Sequence, residues 1–410
     1  MSEERFVIIG ASLAGAKAAE TLRAEGYSGS VVMIGAEHHL PYDRPPLSKG
    51  ALKGSDSYDS ATLFPEQWYA DHDIELRLGR PAWRLDLSAH NVYVHNQDKL
   101  QYDRLLLATG SSVRTLNVPG ADVEGVHYLR TMEDSQRLRK RLVDRPDVVV
   151  VGAGWIGLEV AAAAREYGAS VTVLEPQATP LYAALGPEVG QVYADLHVSH
   201  GVDLRLGESV QQILAGDGHV SGVVTGLGET LPAGLVVAGV GVVPNTDLAE
   251  GAGLEVDNGV LCDQSLRTSD PDVFAAGDIA NSFNPLLGGR VRVEHWANAL
   301  NGGVAAAQAM LGQEVVYDRI PYFYSDQYDT GMEFAGHLPR GVETTVVLRG
   351  DVAGHEFMAF WLDDDRVLAG MHINVWDSIE EVKDLIRSSD RVDPERLADP
   401  AVPLPEAVRR

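Results

Sequence analysis

The sequence predicts an α/β fold, with two parallel-sheet units followed by a smaller α+β segment. Three observations predict it. A strand, glycine turn, helix and second strand succeed one another twice, over 6–37 and over 148–175. Short apolar runs bounded by glycine and proline, the pattern of short strands, fill the stretches between and after these two copies. From about Ile320 the chain changes to aromatic-rich runs and one helical pattern, Ser378 to Arg387.

In the first copy an apolar run, Phe6 to Ile9, meets Gly10-x-Ser12-x-x-Gly15. An alanine-rich helical segment that includes Ala14 runs on to a stop at Gly26, and a second apolar run leads to Glu37. Gly10 permits a tight turn, a small middle residue lets backbone N–H groups approach a pyrophosphate, and Gly15 lets helix and strand pack closely. This is the Rossmann-like, dinucleotide-binding pattern, with Glu37 placed to take ribose hydroxyls. Ser12 replaces the usual middle glycine, and Glu37 stands three residues past the apolar run.

The second copy is intact. The strand Val148 to Val151 runs into Gly152-x-Gly154-Trp155-Ile156-Gly157, a helix follows to Gly168, and the next strand is followed by Glu175. That acid is 18 residues beyond Gly157, close to the expected distance of about 20. Two such units in one chain imply two dinucleotides, most simply one flavin and one nicotinamide. Glu175 favours NADH over NADPH, because a carboxylate accepts both ribose hydroxyls and repels a 2′-phosphate. The following Pro176-Gln177-Ala178 offers no arginine to hold that phosphate.

Composition narrows the chemistry. The 410 residues, 45% hydrophobic, suffice for two or three domains. No apolar run approaches the roughly 18 residues needed to span a bilayer, and residues 1–5 show no signal-peptide pattern, so a cytoplasmic location is expected. A net charge of −26 argues against nucleic acid or an anionic membrane as partner. One cysteine, Cys262, in a strand-like GVLCDQSL, excludes a four-cysteine cluster and a dithiol relay. No His, Cys or carboxylate spacing reads as a metal site. Redox chemistry therefore resides in a bound organic cofactor.

Between the fingerprints, 38–50 is too rich in proline for helix or inner strand, a short helix is expected near Pro65 to His72, and 74–107 reads as short strands. They end at Ala108-Thr109-Gly110, a small-residue turn suited to close approach by a ligand. The second half of HYLRTMEDSQRLRKRL is an amphipathic helix. From Val202 strands return, closing on Gly241-Val242-Val243-Pro244-Asn245, with Gly241 counted among the cofactor contacts. In VFAAGD a buried strand is followed by Gly277 and Asp278, an acid placed to reach a polyol chain. Asn298 to Leu311 reads as helix, and the last twenty residues, with four prolines, as a surface run.

Taken in order, FVIIGASLAG, LPYDRPPLSK, LLLATG, HYLRTMED, VVGAGWIGLE, GVGVVPNT, VFAAGDIA and YFYSDQY cover essentially the whole chain. Together they resemble the NADH-dependent ferredoxin reductases of oxygenase and cytochrome P450 systems. The resemblance implies a glutathione-reductase-like architecture: an FAD domain of 1–112 and 246–318, an NADH domain of 113–245, and a C-terminal α+β domain of 319–410. It implies FAD contacts at Ala14, Lys49, Ala82, Arg130, Asp278 and Trp296, with Glu294 and His295 beside Trp296 and Arg44 near Lys49. Relatives often carry an acid where this chain has Ala36, and Glu37 substitutes for it. Lys49 and Glu159 are expected to meet beside the flavin ring, as the catalytic pair.

Such a pair suits hydride transfer, which needs positioning more than acid or base. A cation stabilises the charge that arrives, and a carboxylate fixes the cation. Disulfide reductases of similar architecture pass electrons on through cysteines, whereas this chain has LSKG in the corresponding region. The electrons must then leave directly, which fits a one-electron iron–sulfur ferredoxin, with Tyr322, Phe323, Tyr324 and Tyr328 as relay or docking aromatics. An acidic ferredoxin would meet this acidic chain through local cations, with Arg44, Arg290, Arg292, Arg340 and Arg349 as candidates. Two other readings stand beside this one: reduction of a small acceptor such as a quinone or ascorbate radical, and an NADH-binding flavoprotein of the apoptosis-inducing-factor kind. Either a monomer or a homodimer is compatible with the sequence.

Overall fold

The computed structural model describes residues 4–95, 98–339 and 341–409, in two compact units. The first comprises Met1–Asp43, Asp59–Ser112 and Val242–Tyr322; the second comprises Arg44–Tyr58, Val113–Gly241 and Phe323–Arg410.

A five-stranded parallel sheet centres the first unit, in the spatial order Val273–Ala275, Arg104–Leu107, Arg5–Ile9, Ser30–Ile34, Ile74–Arg77. These strands are continuous apolar runs because both faces are covered. One face packs with the helices Leu13–Ala24 and Trp296–Met310 through Ile8, Leu22, Phe274 and Ala306. The other packs with the antiparallel strands Ala82–Asp86, Asn91–Val94 and Lys99–Gln101 through Val7, Leu85, Val92 and Leu105. The two helices lie very close: a Cβ on Gly303 would come within 2.3 Å of the Ala14 carbonyl oxygen.

The second unit repeats the design, in the order Asp203–Leu206, Ser170–Glu175, Asp147–Val151, Leu235–Ala238, Val126–His127, with Val150, Val173 and Val237 fully covered. Glu175 is the last residue of its strand rather than the residue after it. A sheet of Tyr322–Gln327, Thr330–Gly336, Arg366–Ile373, Glu356–Asp363 and Thr345–Asp351 carries the C-terminal aromatics. The helix Ile379–Ser388 lays Val382 and Ile386 inward.

Two features depart from expectation. The 18-residue helical segment Tyr182–Ser199, kinked at Gly186, lies in a stretch where its proline hid the pattern. The C-terminal run folds into the short helix Pro394–Ala398 and a turn, Leu404–Ala407, with Leu397, Leu404 and Ala407 buried. It holds there because the guanidinium of Arg349 donates to the carbonyls of Leu397, Asp399, Pro400 and Val402.

Candidate functional site

Each fingerprint forms the turn its glycines require. Gly10 has φ +125°, and a Cβ there would sit 2.0 Å from the Ala108 carbonyl oxygen. A Cβ on Gly15 would lie 2.0 Å from the oxygen of Gly10, and in the second unit a Cβ on Gly157 would lie 2.1 Å from that of Gly152. These glycines answer to the packing of loop against strand. Gly154 is different, since the protein leaves its Cβ direction almost open, with the nearest atom at 4.0 Å.

At both helix starts the capping residue, Ser12 or Gly154, makes no side-chain cap, and neither first turn holds an acidic residue. The orphan N–H groups and the positive end of each helix are left for an anion, which fits the pyrophosphate of a dinucleotide. In the second unit Glu175 holds the loop: its carboxylate accepts from the amides of Ala153 at 2.7 Å and Gln177 at 2.9 Å. Ile156, in the first turn of that helix, is 43% exposed.

In the first unit Glu37 accepts a hydrogen bond from the Tyr42 hydroxyl at 2.5 Å, while Ala36 is exposed. Thr109 and Asn245 bind each other reciprocally, so Gly110 follows a clamped turn. Gly277 and Asp278 begin the turn after the edge strand Val273–Ala275; the carbonyl of Gly277 accepts from Asn298 and that of Asp278 from Arg292. Arg292 also pairs with Glu294 at 2.8 Å. His295 caps the helix opened by Trp296, whose indole N–H donates to Asp43 at 2.8 Å. Burial raises the pKa of Asp43, against that hydrogen bond. Ala82 opens the outer antiparallel strand.

Arg44, Lys49 and Arg130 fall in the second unit, as does Gly241. The proline-rich segment 44–58 is anchored there by the Arg44 side chain and by its own main-chain carbonyls. Arg44 donates to the Arg130 carbonyl at 2.5 Å, Ser135 to that of Leu47 at 2.7 Å, and Tyr167 to those of Leu52 and Lys53 at 3.0 Å. Arg130 precedes the Thr131 capping box of the helix Met132–Leu142. So held, Lys49 reaches Glu159 of the fingerprint helix, Nζ to Oε1 at 2.7 Å.

Glu159 is only 3% exposed and is satisfied on both oxygens, by Ser48 Oγ at 2.5 Å on Oε2 and by Ser325 Oγ at 2.6 Å on Oε1. The Lys49 ammonium also lies 5.5 Å from the centre of the Tyr324 ring. Trp155, one helical turn before Glu159, meets Phe323 edge-on at 5.1 Å. Tyr328 stacks on His200 at 3.7 Å. Ser48 and Ser325 were not anticipated. The available signal was alternation: Phe323, Ser325 and Gln327 share one face of their strand.

Of the arginines expected to form a docking patch, Arg290, Arg292 and Arg349 bind main-chain carbonyls, and Arg290 is exposed while doing so. Arg290 donates to the carbonyls of Cys262 and Asn281, Arg292 to that of Asp278, and Arg349 holds the C-terminal run. Arg340 lies outside the described residues. Cys262 is buried, and burial pushes its thiol up to about 12. Among the described residues no helix is long and apolar enough to cross a membrane, and no group of three or more His, Cys, Asp or Glu is arranged to hold a metal ion.

Known proteins match along the whole chain. A family model described as pyridine nucleotide-disulphide oxidoreductase matches residues 4–303, and one described as reductase C-terminal matches 322–408. The ferredoxin–NAD(+) reductase component of the anthranilate 1,2-dioxygenase system of Burkholderia cepacia is 43% identical over 98% of this chain and 99% of its own. Rhodocoxin reductase of Rhodococcus erythropolis is 40% identical over 99% and 94%. The crystal structure of the covalent putidaredoxin reductase–putidaredoxin complex matches at TM-score 0.95 and 36% identity, over 99% of this chain and 98% of that one. With two fingerprint loops, a lysine paired to a buried glutamate and this full-length likeness, the chain belongs to the pyridine nucleotide-disulphide oxidoreductase family, among its ferredoxin reductases.

Proposed function

We propose that this chain is an FAD-dependent NADH:ferredoxin reductase, supplying single electrons to an iron–sulfur ferredoxin that serves a cytochrome P450 or another oxygenase. The observation that carries it is the Lys49–Glu159 ion pair, formed in the LSK segment where a disulfide reductase would hold its exit thiols, in a chain whose one cysteine is buried. FAD, when bound, accepts a hydride from NADH and releases electrons one at a time.

The residues hold and orient. Gly10, Ser12, Ala14 and Gly15 cradle the FAD pyrophosphate, and Glu37, kept in place by Tyr42, takes the ribose hydroxyls. Ala82, Thr109, Gly110, Gly277, Asp278 and Glu294 to Trp296 belong to the same cofactor's site, and Arg44 and Arg130 are counted among its contacts. Gly152, Gly154, Trp155, Ile156, Gly157 and Gly241 receive NADH, and Glu175 selects it over NADPH. Lys49 supplies the positive charge that the incoming hydride calls for, and Glu159 keeps that charge in one place.

On this reading 1–112 with 246–318 is the FAD-binding domain, 113–245 the NADH-binding domain and 319–410 the C-terminal domain. The protein works in the cytoplasm as a monomer or homodimer. The test is turnover of the purified yellow protein with NADH and an iron–sulfur ferredoxin, set against quinones and free ferricyanide. A clear preference for the ferredoxin is expected. Equal or better turnover with a quinone would move the assignment to a small-acceptor reductase, and negligible turnover with slow flavin bleaching to an NADH-sensing flavoprotein.

A further inference from the structure

Glu159 is the end of a hydrogen-bond chain whose direction it dictates. A carboxylate only accepts, so the Ser325 hydroxyl must donate to it, at 2.6 Å. The lone pairs of Ser325 then receive the Gln327 amide N–H at 3.2 Å. That orientation turns the Gln327 oxygen toward His197 Nε2, 2.8 Å away, which must therefore carry a hydrogen. A neutral ring with its proton on Nε2 presents a bare Nδ1, and the Tyr328 hydroxyl stands 3.3 Å from it as the donor.

Ser325, Gln327 and His197 are buried, so each link forms where water does not compete. Burial also holds His197 down to about 4, against the opposing hydrogen bond from Gln327, and keeps its ring neutral near pH 7. The links come from three places in the chain: the fingerprint helix, the kinked helical segment Tyr182–Ser199, and the first C-terminal strand.

We propose that Ser325, Gln327 and His197 are positioning residues for the Lys49–Glu159 pair, forming a chain of single polarity that holds the Glu159 carboxylate, and through it the Lys49 ammonium, in one orientation. This rests on the reading of Lys49 and Glu159 as the pair that serves hydride transfer. The hydrogen-bond chain acts by denying Glu159 other rotamers.

The experiment uses the FAD-loaded enzyme, with Ser325→Ala, Ser325→Thr and Gln327→Leu. Stopped-flow mixing with NADH gives the saturating flavin-reduction rate and the half-saturating NADH concentration. Absorbance gives FAD content, and nitrogen-15 NMR of histidine-labelled protein gives the His197 tautomer. In the wild type His197 is expected as the Nε2–H form. Ser325→Ala and Gln327→Leu are expected to slow saturating reduction by about tenfold or more, the scale of a misplaced reacting geometry, with NADH half-saturation and FAD content little changed. Ser325→Thr should restore the rate.

Wild-type rates in both Ser325→Ala and Gln327→Leu, or slowing that tracks FAD loss alone, would overturn the proposal, as would an Nδ1–H tautomer in the wild type. A wild-type flavin that NADH does not bleach would overturn the functional reading itself, a result that the tautomer measurement keeps separate.

Discussion

Lys49 and Glu159 stand 110 positions apart in sequence and 2.7 Å apart at their charged ends, and each is held by main-chain anchors of its own segment. The carboxylate is buried against two hydroxyls, Ser48 and Ser325. A buried ion loses much when its partner is removed, because the remaining charge has no water to turn to.

Lys49→Met is therefore expected to lower stability by about 3 kcal/mol and to slow flavin reduction by NADH on the order of a hundredfold, with FAD still retained. Adding Glu159→Gln should recover much of the stability and none of the rate. Chemical denaturation and stopped-flow absorbance check the two halves; a double variant that regained the rate would show the charge to be dispensable.

Cofactor choice rests on Glu175, whose carboxylate is already fixed by two loop amides. Glu175→Ala together with Gln177→Arg is expected to shift the NADPH to NADH ratio of kcat/KM by at least about tenfold, near 1.4 kcal/mol. Steady-state kinetics with each coenzyme reads it, and an unchanged ratio would displace the ribose pocket from this strand end.

His197 gives the fold a pH slope. Its folded value near 4 lies below the roughly 6.5 of an unfolded histidine. Between these values the unfolded chain binds the additional proton, so stability is fully present above about pH 6.5 and lost as pH falls toward 4. The loss is on the order of 3 kcal/mol for this one ring. Urea titrations of wild type and His197→Leu from pH 7 to 4 should differ in slope over that window, and parallel curves would remove His197 as the cause.

Arg349 is expected to matter for the C-terminal run and not for ferredoxin. With its guanidinium bound to four carbonyls, Arg349→Ala should cost about 2 kcal/mol and open the segment beyond about residue 390 to limited proteolysis. The KM for ferredoxin should stay within about twofold, well under a kcal/mol. A large rise in that KM with the tail intact would return Arg349 to the docking surface.

Cys262 should be silent. Buried, with its thiol pushed up to about 12, it should react with aromatic disulfide reagents only after unfolding, and Cys262→Ala should turn over as wild type. Labelling of the folded protein at a rate typical of free thiols would contradict this.

The sequence by itself determined the two βαβ fingerprints, the acid closing the second, the absence of an exit thiol and the switch to aromatic strands near Ile320, because each is local. Turn geometry, close strand–helix approach and period-two alternation are written in consecutive residues, and Gly10, Gly15, Gly152 and Gly157 stand where a Cβ would strike backbone oxygens. Lys49 was expected beside Glu159 from the resemblance, but tertiary structure alone decided what else surrounds that carboxylate. Ser48, Ser325, Gln327 and His197 come from three segments far apart in the chain, and none carries a mark in its neighbours that tells which carboxylate it will serve. Only tertiary packing could also show that Arg290, Arg292 and Arg349 bind main-chain carbonyls, since a guanidinium looks the same in sequence whether or not it meets the main chain.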